Sequence, residues 1–162
     1  MDRWVLTVER DVAASPERIF DVLADPAKHK LIDGSGMLQG VADGAARERL
    51  ALGSRFGMGM RLGVHYSTVN RVVEFDEPKR IAWKTGPEGF VGKVLAGRTW
   101  RYELEATDSG TRVRESWDIT DDHQRVLLKL GGIYWNKTRK DMERTLERLD
   151  RLMAGTADPG PR

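Results

Sequence analysis

Tyr102 and Glu115 are the two residues of this chain best placed to do chemistry together. They fall in neighbouring stretches, residues 100–106 and 111–119, that alternate with a period of two. One face carries Trp100, Tyr102, Leu104 and Val113, Glu115, Trp117, Ile119; the other carries Arg101, Glu103, Glu105 and Arg112, Arg114, Ser116, Asp118. So regular an alternation puts one sheet face in water and the other against apolar matter. Glu115 is the carboxylate on the apolar side. Burial raises the pKa of such a group, and a phenol beside it can help to orient or protonate a ligand carbonyl, so the pair are candidate general acid/base residues. The same pair would also serve as a structural hydrogen bond that satisfies a buried acid.

Their pairing follows from the intervening turn. Thr107, Asp108, Ser109 and Gly110 form a turn signal with Gly available for a left-handed position. A four-residue loop pairs Ala106 with Thr111, which sets Leu104 opposite Val113, Tyr102 opposite Glu115 and Trp100 opposite Trp117. On the wet face it sets Glu105 against Arg112 and Glu103 against Arg114, each pair contributing roughly 0.2–1 kcal/mol. A three-residue loop would slip the register and bring apolar residues opposite polar ones.

Other side chains join the candidates by parity. The inward set from the sheet is Met58, Met60, Tyr66, Trp83, Trp100, Tyr102, Glu115 and Trp117. Adaptable methionines and aromatic walls with polar tips suit a small-molecule site as well as a packed core. Asn136 is placed to point a polar group inward from the last helix. His29, with Asp33 and Ser35 in the turn after it, forms a second polar cluster. His65 has the opposite parity from Tyr66 and faces out, and His123 sits beside Asp121 and Asp122 at a helix start. Three scattered histidines without ligand spacing argue against a metal site. Gly57, Gly59 and Gly63 alternate within a strand and form no phosphate loop.

The elements that must position these groups can be read in order. Residues 4–12 form a strand. Ser15-Pro16 starts a helix, with Ser as N-cap and Pro at the first helical position, and Asp25-Pro26 stops it. A second short helix covers residues 27–31, and residues 33–36 turn. Residues 37–41 read as a strand and 50–52 as another short piece, with 42–49 undetermined. Strands follow at 55–62, 64–75 and 80–85, then a loop over 86–97 with a strand piece within it as the alternative, then the opening hairpin. Asp121-Asp122 caps a helical region that Gly131-Gly132 interrupts. From residue 133 to 153 the pattern is helical, with Trp135, Thr138, Met142, Thr145, Leu146, Leu149, Leu152 and Met153 on one face. An antiparallel run of this kind cannot leave its apolar face in water, and the last helix is the element available to cover it.

Composition narrows the classes. The chain has 162 residues, with 27 Lys and Arg against 25 Asp and Glu, for a net charge of +2. The charges interleave without a basic stripe, so nucleic acid is not an expected partner. There is no Cys, which excludes disulfides, thiolate metal sites and a thiol nucleophile. Residues 1–8 read as a strand, not as a signal peptide, and no apolar run approaches the roughly 18 residues of a membrane span. These features lead to the expectation of a cytoplasmic protein without a membrane span, monomeric or homodimeric.

Several segments carry a family resemblance: Val12-Ala13-Ala14-Ser15-Pro16-Glu17-Arg18-Ile19-Phe20, then Asp25-Pro26-Ala27-Lys28-His29, then Val72-Val73-Glu74-Phe75-Asp76-Glu77-Pro78-Lys79-Arg80-Ile81-Ala82-Trp83, and Gly110-Thr111-Arg112-Val113-Arg114-Glu115. In this order they resemble the START-like, or SRPBCC, helix-grip superfamily of START lipid-transfer domains, pollen-allergen-like proteins and bacterial polyketide cyclases. The chain is most similar to the polyketide cyclase/dehydrase-like branch. The resemblance implies an α+β helix-grip fold, a curved antiparallel β-sheet wrapped around a long C-terminal α-helix, with two short helices after the first strand. The resemblance covers nearly the whole chain, and the sequence shows no internal repeat or second domain, so a single domain is expected over residues 1–154, with the Gly/Pro-containing stretch 155–162 a disordered tail. The resemblance also implies a cavity between sheet and helix that takes lipids, polyketides or similar ligands without a metal or nucleotide cofactor, and it places His29, Asp33 and Ser35 at the cavity mouth. The expected partner is a small hydrophobic ligand. A cyclase or dehydratase using Glu115 and Tyr102, and a protein-interaction or co-chaperone-like module with a filled core and an exposed apolar patch, remain as alternatives.

Overall fold

The alternating stretches assemble into one antiparallel sheet, and the long amphipathic segment becomes the helix it grips. The structure is a computed structural model that describes residues 3–42, 48–87, 97–130 and 132–155. The chain begins with β1 (Val5–Val12), then α1 (Pro16–Leu23), a 3-10 turn (Pro26–Lys28) and α2 (His29–Ile32). β2 (Leu38–Val41), β3 (Arg55–Leu62), β4 (Val64–Asp76), β5 (Arg80–Pro87), β6 (Arg98–Thr107) and β7 (Gly110–Asp118) follow, then α3 (Arg125–Leu130) and α4 (Ile133–Gly155). The strand order is β1-β7-β6-β5-β4-β3-β2. The parts of the sequence reading that concern residues 43–47, 88–96, 131 and 156–162 lie outside the described residues.

Local chemistry sets the element ends. Ser15 caps α1 by accepting the Arg18 N–H, with Pro16 at the first position. Asp25 accepts the Ala27 N–H and starts the 3-10 turn. The expected strand piece at 50–52 is instead a turn: the Leu50 N–H bonds the Ala24 carbonyl and the Leu50 side chain is buried. Leu50 is therefore tied to the end of α1, not to a neighbouring strand.

The hairpin of β6 and β7 has the expected register, with Trp100 opposite Trp117, Tyr102 opposite Glu115 and Leu104 opposite Val113. Pairing continues to Thr107 and Gly110, so only Asp108 and Ser109 turn. The glycine provides the positive φ expected of it and also leaves room for a close approach of β1. Gly110 has φ +147°, and a Cβ there would lie 2.2 Å from the Val12 carbonyl of β1. The expected Glu103–Arg114 pair forms at the longer distance, and Arg112 turns from Glu105 to β1. Arg112 binds Asp11 at 3.0 Å and Arg114 binds Glu9 at 2.6 Å, while Glu103 stands 3.8 Å from Arg114. β1 flanks β7 on its other side and sets Asp11 and Glu9 directly opposite these arginines.

The buried face of α4 carries Thr138, Met142, Thr145, Leu146, Leu149 and Met153, as its period requires. Against it lie Leu6, Val8 and Val113 of the sheet and Ile19, Phe20 and Leu23 of α1, all in one core. Arg10 of β1 pairs with Asp150 of α4 at 2.9 Å. The loop after α2 is pinned to the helix at Gly34, whose N–H donates to Thr145 Oγ1 at 3.0 Å. A Cβ on Gly34 would fall 2.0 Å from the Asp141 carbonyl and 2.5 Å from the Thr145 nitrogen, both backbone atoms. Gly34→Ala is therefore expected to cost about 1–3 kcal/mol, the scale of overpacking. A drop in thermal midpoint of several degrees checks it; an unchanged midpoint would show that loop and helix separate without cost.

Candidate functional site

A cavity of about 190 Å³ opens between the sheet and α4. Phe56, Met58 and Met60 of β3 line one side, Trp83 of β5 and Trp100 and Tyr102 of β6 another, and Ile32 and Leu38 a third. Met142 and Thr145 close it from the helix. The polar groups in its wall are Thr68, Asn70 and Thr85 at one part and His29, Asp33, Ser35, Glu115 and Asp141 elsewhere.

Trp83 organises the aromatic wall. His29 stacks on it at 5.1 Å, Phe56 meets it edge-on at 5.7 Å and Tyr102 tilts against it at 5.6 Å. His29 is buried, and its Nε2 donates to the Leu23 carbonyl at 2.8 Å. Burial lowers its pKa, so it is a neutral ring fixed in one tautomer. The expectation of a residue at the cavity mouth is corrected here: the ring sits beneath aromatic neighbours because its hydrogen bond back to α1 satisfies its N–H without water. Asp33 is saturated. Its Oδ1 accepts the N–H and hydroxyl of Ser35 and its Oδ2 accepts the Leu38 N–H. These two residues build the turn into β2. Asn70 accepts the Thr85 hydroxyl at 2.6 Å, and Asp141 pairs with Lys137 and Arg144.

Glu115 lies on β7 between Val8 of β1 and Tyr102 of β6. Two flanking strands and the helix bury it to 2% exposure. The Tyr102 hydroxyl donates to its Oε1 at 2.8 Å, while its Oε2 is buried without a hydrogen-bond partner. Burial pushes its pKa up to about 8; the Tyr102 hydrogen bond opposes this and the Asp33 charge adds to it. Tyr102 is driven well above the usual phenol range by burial and then by Glu115. At neutral pH the pair is therefore a phenol and a largely protonated acid. The Tyr102 proton is spent on Oε1, which leaves the carboxyl proton on Oε2.

The structure brings Met58, Met60, Trp83, Trp100, Tyr102, Glu115, His29, Asp33 and Ser35 to this cavity and leaves three other candidates outside it. Tyr66 has the inward parity but is 38% exposed, opposite Met60 on the outer part of the β3–β4 hairpin. Trp117 is buried against Trp100, Trp135 and Tyr134, where it fills core. Asn136 is exposed, because two residues before Thr138 is the opposite side of a helix. Among the lining residues that sequence reasoning did not place at the site are Phe56, Thr68, Asn70, Thr85 and Asp141, along with Ile32, Leu38, Met142 and Thr145. Parity with Met58, Val72 and Trp83 marks Phe56, Thr68, Asn70 and Thr85, and the helical stripe marks Met142 and Thr145; Asp141 carries no such signal, being an acid beside that stripe. Among the described residues no group of three or more His, Asp and Glu is arranged to hold a metal ion.

A curved seven-stranded antiparallel sheet that grips a long C-terminal helix over a cavity defines a helix-grip protein. The chain belongs to the family described as polyketide cyclase / dehydrase and lipid transport, which matches residues 3–154. The uncharacterised protein Rv0088 of Mycobacterium tuberculosis is 32% identical over 130 residues, 79% of this chain and 52% of that protein. The chain thus spans about half the length of the curated relatives it matches. Protein Ms6760 of Mycobacterium smegmatis shares the fold with a TM-score of 0.68 at 21% identity, over 94% of this chain and 92% of that one. The AHSA1 protein of Silicibacter pomeroyi shares it with a TM-score of 0.65 at 21% identity, over 93% and 97%. No described helix is long and apolar enough to cross a membrane.

Proposed function

We propose that this protein binds a hydrophobic or amphipathic small molecule, such as a lipid, polyketide or aromatic compound, in the cavity between sheet and α4. The observation that carries this reading is the wall itself: Phe56, Trp83, Trp100 and three methionines, with a few fixed polar groups, around about 190 Å³. An apolar cavity of about 150 Å³ already holds a benzene-sized guest, and apolar walls with sparse polar groups are the usual makeup of small-molecule sites. An interaction module with a filled core would lack this space. Native mass spectrometry with denaturing extraction tests the reading. A discrete added mass that releases a small molecule is expected. A bare polypeptide mass, together with no uptake of any apolar probe, would contradict it.

A second reading rests on the Tyr102–Glu115 pair. A carboxyl still protonated at neutral pH beside a phenol is equipped as a general acid for a cyclase or dehydratase acting on a polyketide-like substrate. In that case Glu115→Gln is expected to lower turnover by about 100-fold or more while leaving ligand affinity nearly intact. Parallel loss of both would reduce the pair to a binding role.

A further inference from the structure

We infer that the cavity selects an uncharged ligand with a hydrogen-bond acceptor, an aromatic ketone or lactone being the simplest case, and rejects ligands headed by a carboxylate. This rests on the binding role proposed above and specifies the chemistry of its occupant. Three observations support it. First, among the described residues no Lys or Arg lines the cavity, whereas Asp33, Glu115 and Asp141 do. A carboxylate entering it would meet no countercharge and would lose its hydration without repayment. Second, several of the other polar groups are already engaged: Asp33 by Ser35 and Leu38, Asn70 by Thr85, the Nε2 of His29 by Leu23 and Tyr102 by Glu115. Third, Glu115 Oε2 is buried without a partner in the protein. With the Tyr102 hydroxyl donating to Oε1, the free oxygen carries the acid proton and is a donor with no acceptor beside it in the protein. A neutral carbonyl supplies one.

The groups facing Glu115 are Tyr102 from β6, Asp33 from the turn after α2 and apolar Val8 from β1, with Asp141 on the helix side of the cavity. None is a cation that would favour ionised Glu115 inside the cavity. Ionisation at alkaline pH removes the donor and turns an acceptor ligand's partner into a repulsive one.

Isothermal titration of the full chain with 2-acetonaphthone, 2-naphthoate, 2-naphthylmethylamine and 2-ethylnaphthalene at neutral pH tests the inference. The ketone is expected to bind about ten- to a hundredfold more tightly than the carboxylate, the range set by an unmet buried polar group. Its advantage over 2-ethylnaphthalene should vanish near pH 9.5, once the acid is ionised. Glu115→Gln, which keeps a donor at every pH, should retain the ketone preference at both pH values, and Glu115→Leu should abolish it. Equal binding of the naphthoate, or tightest binding of the amine, would overturn the selectivity and leave the cavity's binding role standing. Binding of none of the four, 2-ethylnaphthalene included, would overturn both.

Discussion

Replacing Glu115 with Gln is expected to make the protein more stable at and above neutral pH. The reason is the transfer of a carboxyl into a nearly dry site. Its pKa is 4.5 when exposed and about 8 in the fold, so between these values the native protein keeps a proton that the unfolded chain has released. Stability associated with this group is therefore fully present below about pH 4.5 and lost as pH rises through 8. At about 1.4 kcal/mol per unit the full loss is roughly 5 kcal/mol, a large part of the ~5–15 kcal/mol that holds a typical domain together. Gln keeps the shape, and its carbonyl can still accept the Tyr102 hydroxyl, but it has no charge to bury. Urea unfolding across pH 5–9.5 checks this. Wild type should lose several kcal/mol over that span and Glu115→Gln should lose much less, with the variant ahead by roughly 3 kcal/mol at pH 7. Parallel curves would mean that Glu115 is solvated or paired in a way the fold does not show.

The second large effect is expected at Trp83. Its ring touches His29, Phe56 and Tyr102 at once, and Trp100 lies opposite it on β6. Trp83→Ala removes the shared face of that cluster and is expected to cost about 3–5 kcal/mol, the scale for deleting a buried aromatic. The thermal midpoint should fall by roughly 6–20 °C at the sensitivity of a chain of this size. Trp83→Phe keeps an aromatic face and should cost less, while enlarging the cavity. Affinity for an aromatic ligand should weaken in both, more in the alanine variant. A stable Trp83→Ala protein with unchanged ligand affinity would remove Trp83 from the account of the site.

The contrast between Glu115 and Tyr66 shows what the sequence makes legible. For Glu115, parity, turn length and cross-strand charges all agreed on one register, and each reports a local constraint. Tyr66 obeys the same parity. Its exposure depends on how much of the β3–β4 hairpin the covering elements reach, a tertiary quantity with no local signal. The β4–β5 register shift between Val72 and Glu74 is hidden for a related reason, since one extra residue in a bulge leaves the composition of a long strand unchanged. His29 reads as a polar residue near a turn; only the folded chain reveals the Trp83 stack and the Leu23 carbonyl that let it be buried. Asp141 lies beside the helix's apolar stripe, and sequence period alone assigns such boundary residues to water. The family segments and the hairpin thus determine the architecture, whereas the far ends and polar corners of the cavity depend on contacts between distant elements.

The most direct test of the account uses the methionines. Met58, Met60 and Met142 line the cavity, whereas Met153 is buried farther along α4 and does not. With 13C-methyl methionine and 2-acetonaphthone as probe, saturable shifts are expected at Met58, Met60 and Met142, with Met153 unmoved. Methyl signals that stay fixed up to the solubility of the probe, or shifts centred on Met153, would contradict the proposal that the space between sheet and helix is a ligand site.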